Sequence, residues 1–213
     1  MNAKSLLWIA PATFLIWSTS YASVTDIPTW SYSGGIYCSA PVLITDSSTG
    51  DQSVVVDANQ WSFGAMDFTI TTDTPSDPTL TINNSINNTS SFAWTEYIVN
   101  VAMNQAFSID SAGVIAPSGW TANITQPGAP VGGVFTGTID YLGGTPVSIF
   151  PDSNSTLNFG YQITFAGATQ YSLTQTANPV SEPGAFALLM FGMLLFSGWM
   201  ASKLPEIHAI RSV

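Results

Sequence analysis

The sequence predicts an all-β protein: an antiparallel β-sandwich or jelly-roll-like extracellular domain, with an N-terminal signal helix and a C-terminal transmembrane helix. Three observations support this prediction. Several central runs alternate apolar and polar residues with a period of two, which is the pattern of half-buried strands. Turn-forming residues separate these runs at short intervals, with no long amphipathic pattern between them. Each end of the chain carries one long apolar run.

The first 22 residues have the pattern of a secretory signal peptide. Lys4 supplies the positive charge, residues 6–17 form the apolar region, and small residues precede a cleavage site between Ala22 and Ser23. We therefore predict that residues 1–22 are removed during export. The rest of the extracellular domain would then lie outside the cytoplasmic membrane.

The predicted β domain spans residues 23–178. Its strictest alternation runs from Asn158 to Phe165, where four large apolar side chains share one face. The other predicted strands are Phe135–Tyr141, Trp120–Thr125, Thr95–Val101, Trp61–Ile70 and Thr169–Thr176, with shorter candidates at Val54–Val56 and Thr79–Ile82. The polar stretch Asn83–Ser91 is predicted to be a loop or an exposed edge.

The charge of the exported segment is unusually one-sided. Residues 23–180 contain eleven carboxylates and no Lys, Arg or His. Nucleic acids and anionic lipids require cationic side chains to neutralise their phosphates, so neither is an expected partner of this domain. Divalent cations and neutral glycans remain open as partners.

The same composition argues against an enzyme. Without His, Lys or Arg, the exported domain lacks the side chains that usually activate a Ser or Cys nucleophile. Two carboxylates could still act as a pair, and Glu96 and Asp140 are the candidates in strand patterns, although the sequence does not define their separation. We predict no catalytic residue, no cofactor and no metal site. Cys38, the only cysteine, is predicted to be buried.

Loop carboxylates and tryptophans leave two alternatives open. Carboxylates at Asp46–Asp51, Asp73–Asp77 and Asp152–Asn154 could bind Ca²⁺, but their spacing is more typical of side chains that stabilise turns. The tryptophans at 30, 61, 94 and 120 could stack on sugars, whereas at strand positions they more often fill a core. We expect at least three of these four in the core.

The C-terminal part is organised around one apolar run. Gly184 to Ala201 are uncharged, and their 18 positions suffice to cross a hydrocarbon layer of about 30 Å as a helix. We predict a linker at 179–183, a transmembrane helix at 184–202 and a short tail at 203–213. Lys203 and Arg211 follow the helix, so the positive-inside rule places this tail in the cytoplasm.

This order of parts resembles the PEP-CTERM sorting signal of Gram-negative bacteria. Ser181-Glu182-Pro183 occupies the place of the Pro-Glu-Pro motif, and the apolar run and the basic Lys203 and Arg211 follow. The resemblance covers about the last thirty residues. It implies an exosortase-type membrane protease as a partner, an association with exopolysaccharide, and a membrane-anchored precursor that ends at the cell surface or in the extracellular matrix.

The sequence therefore favours a non-catalytic exported surface or matrix protein. The alternative is a permanently membrane-anchored carbohydrate-binding module.

Overall fold

A computed structural model describes residues 22–143 and 156–181, together with Met193. This part of the chain is built from strands, as predicted. The ten strands are β1 (Val24–Cys38), β2 (Val42–Thr45), β3 (Gln52–Thr72), β4 (Thr79–Asn88), β5 (Trp94–Met103), β6 (Phe107–Ile115), β7 (Trp120–Thr125), β8 (Phe135–Gly143), β9 (Thr156–Phe165) and β10 (Gln170–Ser181).

All ten strands belong to one hydrogen-bonded sheet. Its order is β6-β9-β4-β3-β10-β5-β8-β7, and β1 and β2 also pair with β3. The long strand β3 pairs with β4 over residues 52–60 and with β10 over residues 64–71. Strand β1 pairs with both parts of β3 from the other side. Strands β4 and β10 therefore lie one after the other along the same side of β3.

The sheet folds over at β3 and nearly closes into a barrel-like form. We call residues 52–60 of β3, with β4, β9 and β6, the first half-sheet. Residues 64–72 of β3, with β10, β5, β8 and β7, form the second half-sheet. The two halves face each other, since the ring of Tyr97 on β5 stacks on that of Phe159 on β9 with centroids 4.2 Å apart. A single core lies between them.

Strand β4 departs from the predicted antiparallel arrangement. It pairs in parallel with β3, from Gln52↔Leu80 to Gln60↔Asn88, whereas the other strand pairs of the described residues are antiparallel. Parallel pairing requires a crossover connection. The second part of β3 serves as that connection, because it continues through the opposite half-sheet before the chain returns to β4.

The predicted alternation is confirmed in the strands that form the core. On β9, the side chains of Phe159, Tyr161, Ile163 and Phe165 are each exposed by no more than 2 %. Tyr97, Val99 and Val101 on β5 are likewise buried. Strands with one buried and one polar face are what a wrapped sheet with a single core requires.

The prediction for Asn83–Ser91 was wrong over its first six residues. Asn83–Asn88 belong to β4, an interior strand between β3 and β9. The side chains of Asn84 and Asn88 are buried, and the Asn88 amide donates to the carbonyl of Phe92 at 3.0 Å. A polar strand is tolerated here because hydrogen bonds satisfy much of its buried polar surface.

Other boundaries also differ from the predicted ones. Val54–Val56 and Trp61–Ile70 are parts of the single strand β3, and β1, β2 and β6 were not predicted. Strand β10 continues to Ser181, so the first three residues of the predicted linker pair with β5.

The two predicted terminal helices lie almost entirely outside the described residues. Of the signal peptide only Ala22 is described, and of the segment 184–202 only Met193. Within the parts of the chain that the structure describes, no helix has the length and apolar character needed to span a bilayer.

Candidate functional site

The predicted processing motif begins where the β domain ends. Ser181 is half-buried and pairs with Trp94 of β5, and its neighbour Val180 pairs with Glu96. Glu182, Pro183, Lys203 and Arg211 lie outside the described residues. The motif is therefore attached directly to a paired strand rather than to a free linker.

The predicted signal-cleavage junction lies against a carboxylate. The backbone nitrogen of Ser23 donates to Oδ1 of Asp73 at 2.7 Å, and Ala22 is 7 % exposed. Cleavage between these residues would turn the Ser23 nitrogen into an α-ammonium group. That group would be the only cation of the segment 23–180 at neutral pH, and it would form beside an acid.

The structure brings together the two acids that the sequence singled out. Asp140 pairs with Ile98, and Glu96 lies two residues further along β5, so the two carboxyl groups are diagonal neighbours on the outer face of the second half-sheet. Burial, a hydrogen bond to Asp140 and the negative charge of Asp140 raise the pKa of Glu96. Oδ1 of Asp140 is buried without a hydrogen-bond partner among the described residues.

This acid pair can share a proton, which is what neighbouring like charges favour. Glycoside hydrolysis requires two carboxyl groups at least about 5 Å apart, with a sugar or a water between them. Oδ1 of Asp140 is buried, so this oxygen is not open to a substrate.

The loop carboxylate Asp46 stabilises its own turn, as predicted. Its Oδ1 accepts from the backbone nitrogen of Ser48 at 2.7 Å and from the hydroxyl of Ser48 at 2.6 Å. These bonds lower the pKa of Asp46. Residues 152–154 lie outside the described part of the chain, and within that part no group of three or more His, Cys, Asp or Glu could hold a metal ion.

Cys38 is buried, which confirms the prediction for this residue. Its side chain is 2 % exposed, and burial raises the pKa of its thiol to about 12. A thiol in this environment is a poor nucleophile at neutral pH.

The prediction that at least three of the four tryptophans lie in the core was wrong, because two do. Trp94 and Trp120 belong to the core, with 0 % and 9 % of their surface exposed. Trp30 and Trp61 are exposed by 36 % and 46 %. Trp30 lies on β1, which has a neighbour on one side only, and Trp61 lies where β3 passes from one half-sheet to the other. Neither position offers a second layer to cover an indole.

Trp30 belongs to an exposed aromatic cluster, which we define as Trp30, Tyr32 and Tyr37. The rings of Trp30 and Tyr32 are stacked with centroids 5.9 Å apart, and those of Tyr32 and Tyr37 meet edge to face at 5.4 Å. Tyr37 is the most exposed of the three, at 56 %. Phe63 and Trp61 are exposed on β3 beside the same bend. The cluster thus presents aromatic ring surface to solvent.

Glycines allow the bend that exposes these rings. Gly34 has a φ of 77°, and the β1–β3 register shifts between Gly34 and Ile36. A Cβ on Gly35 would overlap the side chain of Ser62. Side chains at these positions would separate β1 from β3, so the glycines keep the strands paired through the turn of the sheet.

Two grooves lie on the outer face of the first half-sheet, next to the aromatic cluster. The first has a volume of about 300 Å³ and begins at Tyr37; the second has a volume of about 280 Å³ and ends at Ile115. Both are lined by Ser85. The other lining side chains that face outward are Ser39, Asp57, Asn59, Asn87 and Thr156 in the first groove, and Val55, Asn83 and Asn158 in the second.

Sequence reasoning missed most of this surface. The asparagines of β4 were read as a low-complexity loop, although Asn83, Ser85 and Asn87 alternate with the buried Ile82, Asn84 and Ile86. The period of two was thus present in the sequence, but Asn84 and Asn88 take buried positions that an apolar residue would normally mark. Tyr32 and Tyr37 carried no local signal that separates an exposed ring from a buried one.

Comparison of the chain with protein-family models, with curated proteins and with solved structures found no match.

Proposed function

We propose that this chain is a non-catalytic exported surface or extracellular-matrix protein that associates with polysaccharide. The observation that carries the proposal is the exposed cluster of Trp30, Tyr32 and Tyr37 beside a groove lined by amides and hydroxyls. The domain that presents it has no Lys, Arg or His between residues 23 and 180. A partner that needs no cation for recognition fits this surface best.

The chemistry of the cluster suits sugars. Aromatic side chains offer flat apolar faces with a polar group at the edge, and they are enriched where one surface must contact both apolar and wet partners. Trp30, Tyr32 and Tyr37 are 36 %, 38 % and 56 % exposed, so a ligand that covered these rings would remove further apolar surface from water. Amides beside them both donate and accept hydrogen bonds, as the hydroxyls of a sugar do.

The sorting part of the proposal rests on the C-terminal sequence. We propose that the chain is made as a precursor with a removable signal, a β-sandwich-type domain and a transmembrane sorting helix at 184–202, in the manner of a PEP-CTERM protein of a Gram-negative bacterium. An exosortase-type protease would act at Ser181-Glu182-Pro183. Only Glu182 and Pro183 separate the paired Ser181 from the apolar run that begins at Gly184, so the β domain would stand close to the membrane.

Binding is tested with exopolysaccharide purified from the producing cells. Titration of the protein with this polymer should change its tryptophan fluorescence, since Trp30 and Trp61 are open to solvent. Replacing Trp30 by Ala should reduce the change. Unaltered fluorescence, together with no retention of the protein by the polymer in a native gel, would exclude polysaccharide association.

Sorting is tested by replacing Glu182 and Pro183 with Ala in the producer. The variant should stay in the membrane fraction, whereas the wild type should be released or carried to the surface without its tail. The matched control replaces Pro205 and Glu206 with Ala, because these are the same residue types beyond the apolar run. Equal processing of both variants would argue against the sorting proposal.

The second candidate is a permanently anchored carbohydrate-binding module. The same aromatic cluster supports it, since polysaccharide binding does not require release from the membrane. The intact mass of the protein from cells that encode an exosortase separates the two. A mass that includes Val213 would favour the anchored module.

A further inference from the structure

We propose that an uncharged polysaccharide chain binds across the outer face of the first half-sheet, along a track from Tyr37 to Ile115. The inference rests on the proposed function and adds the site and the class of ligand. The track starts at the aromatic cluster and passes through both grooves.

The strand order makes the track continuous. Tyr37 pairs with Asn59 of β3, Asn59 with Asn87 of β4, and Asn87 with Thr156 of β9. Paired residues project to the same face of a sheet, so these four side chains form one row. A second row, from Val55 through Asn83 and Gly160, lies four residues further along these strands and ends at Ile115 of β6. Five strands spaced by about 4.8 Å give a track of roughly 19 Å, which holds several linked sugars rather than one.

The side chains of the track define the class of ligand. Asn59, Asn87 and Asn158 offer amides, Ser85 offers a hydroxyl, and the amide nitrogen of Asn87 donates to Oδ1 of Asn59 at 3.0 Å. These groups hydrogen-bond neutral hydroxyls in either direction. Among the described residues that line the two grooves, Asp57 is the only one with a charge, and its carboxylate would repel a polymer with carboxylates or sulfates.

The second groove depends on a missing side chain. Gly160 of β9 lies under it, and a Cβ there would come within 2.7 Å of Oδ1 of Asn83 and 3.1 Å of the Ile115 Cβ. Glycine at this position therefore lets the side chains of Asn83 and Ile115 pack over β9, and a larger residue would displace these two walls of the groove. Ile115 is 45 % exposed and gives the far end of the track an apolar wall.

The test blocks the track where the two grooves meet. The variant Ser85→Phe places a ring in both grooves. The matched control Thr176→Phe places the same ring on the outer face of the second half-sheet. Thr176 is a suitable match because it lies on β10 and is half-buried, as Ser85 is on β4. Each variant is expressed in the producer and purified in the form in which it accumulates there, in mild detergent where it remains in the membrane. Their retention is measured by native electrophoresis in gels that contain the neutral or the acidic fraction of the producer's exopolysaccharide.

The neutral fraction should retain the wild type and Thr176→Phe, and it should retain Ser85→Phe at least about tenfold more weakly, as expected when several hydrogen-bonding partners are lost together. Asn59→Ala combined with Asn87→Ala tests the track without added bulk and should also weaken retention. Circular dichroism and thermal melting confirm that each variant is folded.

Three results would overturn the track. Retention of Ser85→Phe equal to wild type, with loss of retention in Trp30→Ala, would place the polysaccharide on the aromatic cluster alone and leave the proposed function standing. Retention only by the acidic fraction would contradict the uncharged ligand. Concentration-dependent dimers that Ser85→Phe abolishes would identify the face as a contact between copies. If neither the neutral nor the acidic fraction retained the wild type, the proposed function itself would be wrong.

Discussion

The hydrogen bond between Tyr97 and Gln60 should be one of the most sensitive points of the fold. Both side chains are fully buried, and the Tyr97 hydroxyl donates to Oε1 of Gln60 at 2.7 Å. The amide of Gln60 donates in turn to the carbonyls of Ser62 at 2.9 Å and of Ala177 at 3.1 Å. Gln60 thus ties β3 to β5 and β10 at the point where β3 passes between the half-sheets.

The perturbation is Tyr97→Phe, which keeps the ring and its stacking on Phe159 but removes the hydroxyl. Oε1 of Gln60 then has no donor in a buried site, and leaving such an acceptor unsatisfied costs about 1–3 kcal/mol. For a protein of this length, each kcal/mol lowers the melting temperature by roughly 2–4 °C. With a loss of about 2 kcal/mol, we expect the melting temperature to fall by about 4–8 °C.

The assay is thermal unfolding of the purified protein, monitored by near-ultraviolet circular dichroism. The matched control is Tyr37→Phe. Because Tyr37 is 56 % exposed, removal of its hydroxyl should change the free energy of unfolding by less than about 0.5 kcal/mol. Burial raises the pKa of Tyr97 well above 10, so this residue contributes stability that is present below pH 10 and lost above it. The difference between wild type and Tyr97→Phe should therefore narrow at high pH. Equal melting of both variants at pH 7 would refute the reasoning.

Three further predictions concern other parts of the β domain. Because Asp140 and burial raise the pKa of Glu96 above its usual 4.5, Glu96→Gln should be more stable than the wild type at pH 7, and thermal melts should show this gain vanishing as the pH falls below 4.5. Cys38 should react with a thiol reagent only when the protein unfolds, so labelling and the loss of circular dichroism should share one midpoint in urea. Gly64→Ala should cost about 1–3 kcal/mol in chemical unfolding, because its Cβ would overlap the side chain of Ile36.

Each of these predictions has an outcome that would contradict it. A Glu96→Gln variant that is no more stable than the wild type at pH 7, or whose gain in stability persists below pH 4.5, would contradict the first prediction. Rapid labelling of Cys38 under native conditions would mean that β1 opens locally. Gly128→Ala is a control for Gly64→Ala, since nothing lies within 4 Å of the added methyl and Gly128 is not among the glycines with a positive φ. Equal costs for the two glycines would argue against the steric explanation.

The sequence by itself located the strands in which apolar and polar residues alternate strictly, but it missed β1, β2, β6 and the second part of β4. In β9 the alternation of Phe159, Tyr161, Ile163 and Phe165 with smaller or polar residues sufficed, because the period of a strand is a local property of the backbone. Burial of Cys38 and the turn at Asp46 were equally predictable, since they follow from side-chain polarity and from contacts two residues apart. The absence of cations from residues 23–180 also limits the class of partner without any structure.

Tertiary structure alone decided which strands are neighbours and which aromatic rings remain exposed. Trp30 and Trp94 look alike in the sequence, but one lies on a strand with a free edge and the other lies between the half-sheets. Glu96 and Asp140 lie 44 positions apart along the chain and are brought side by side by the β5–β8 register. Pairing between distant strands depends on the closing of one shared core, and no local pattern encodes that.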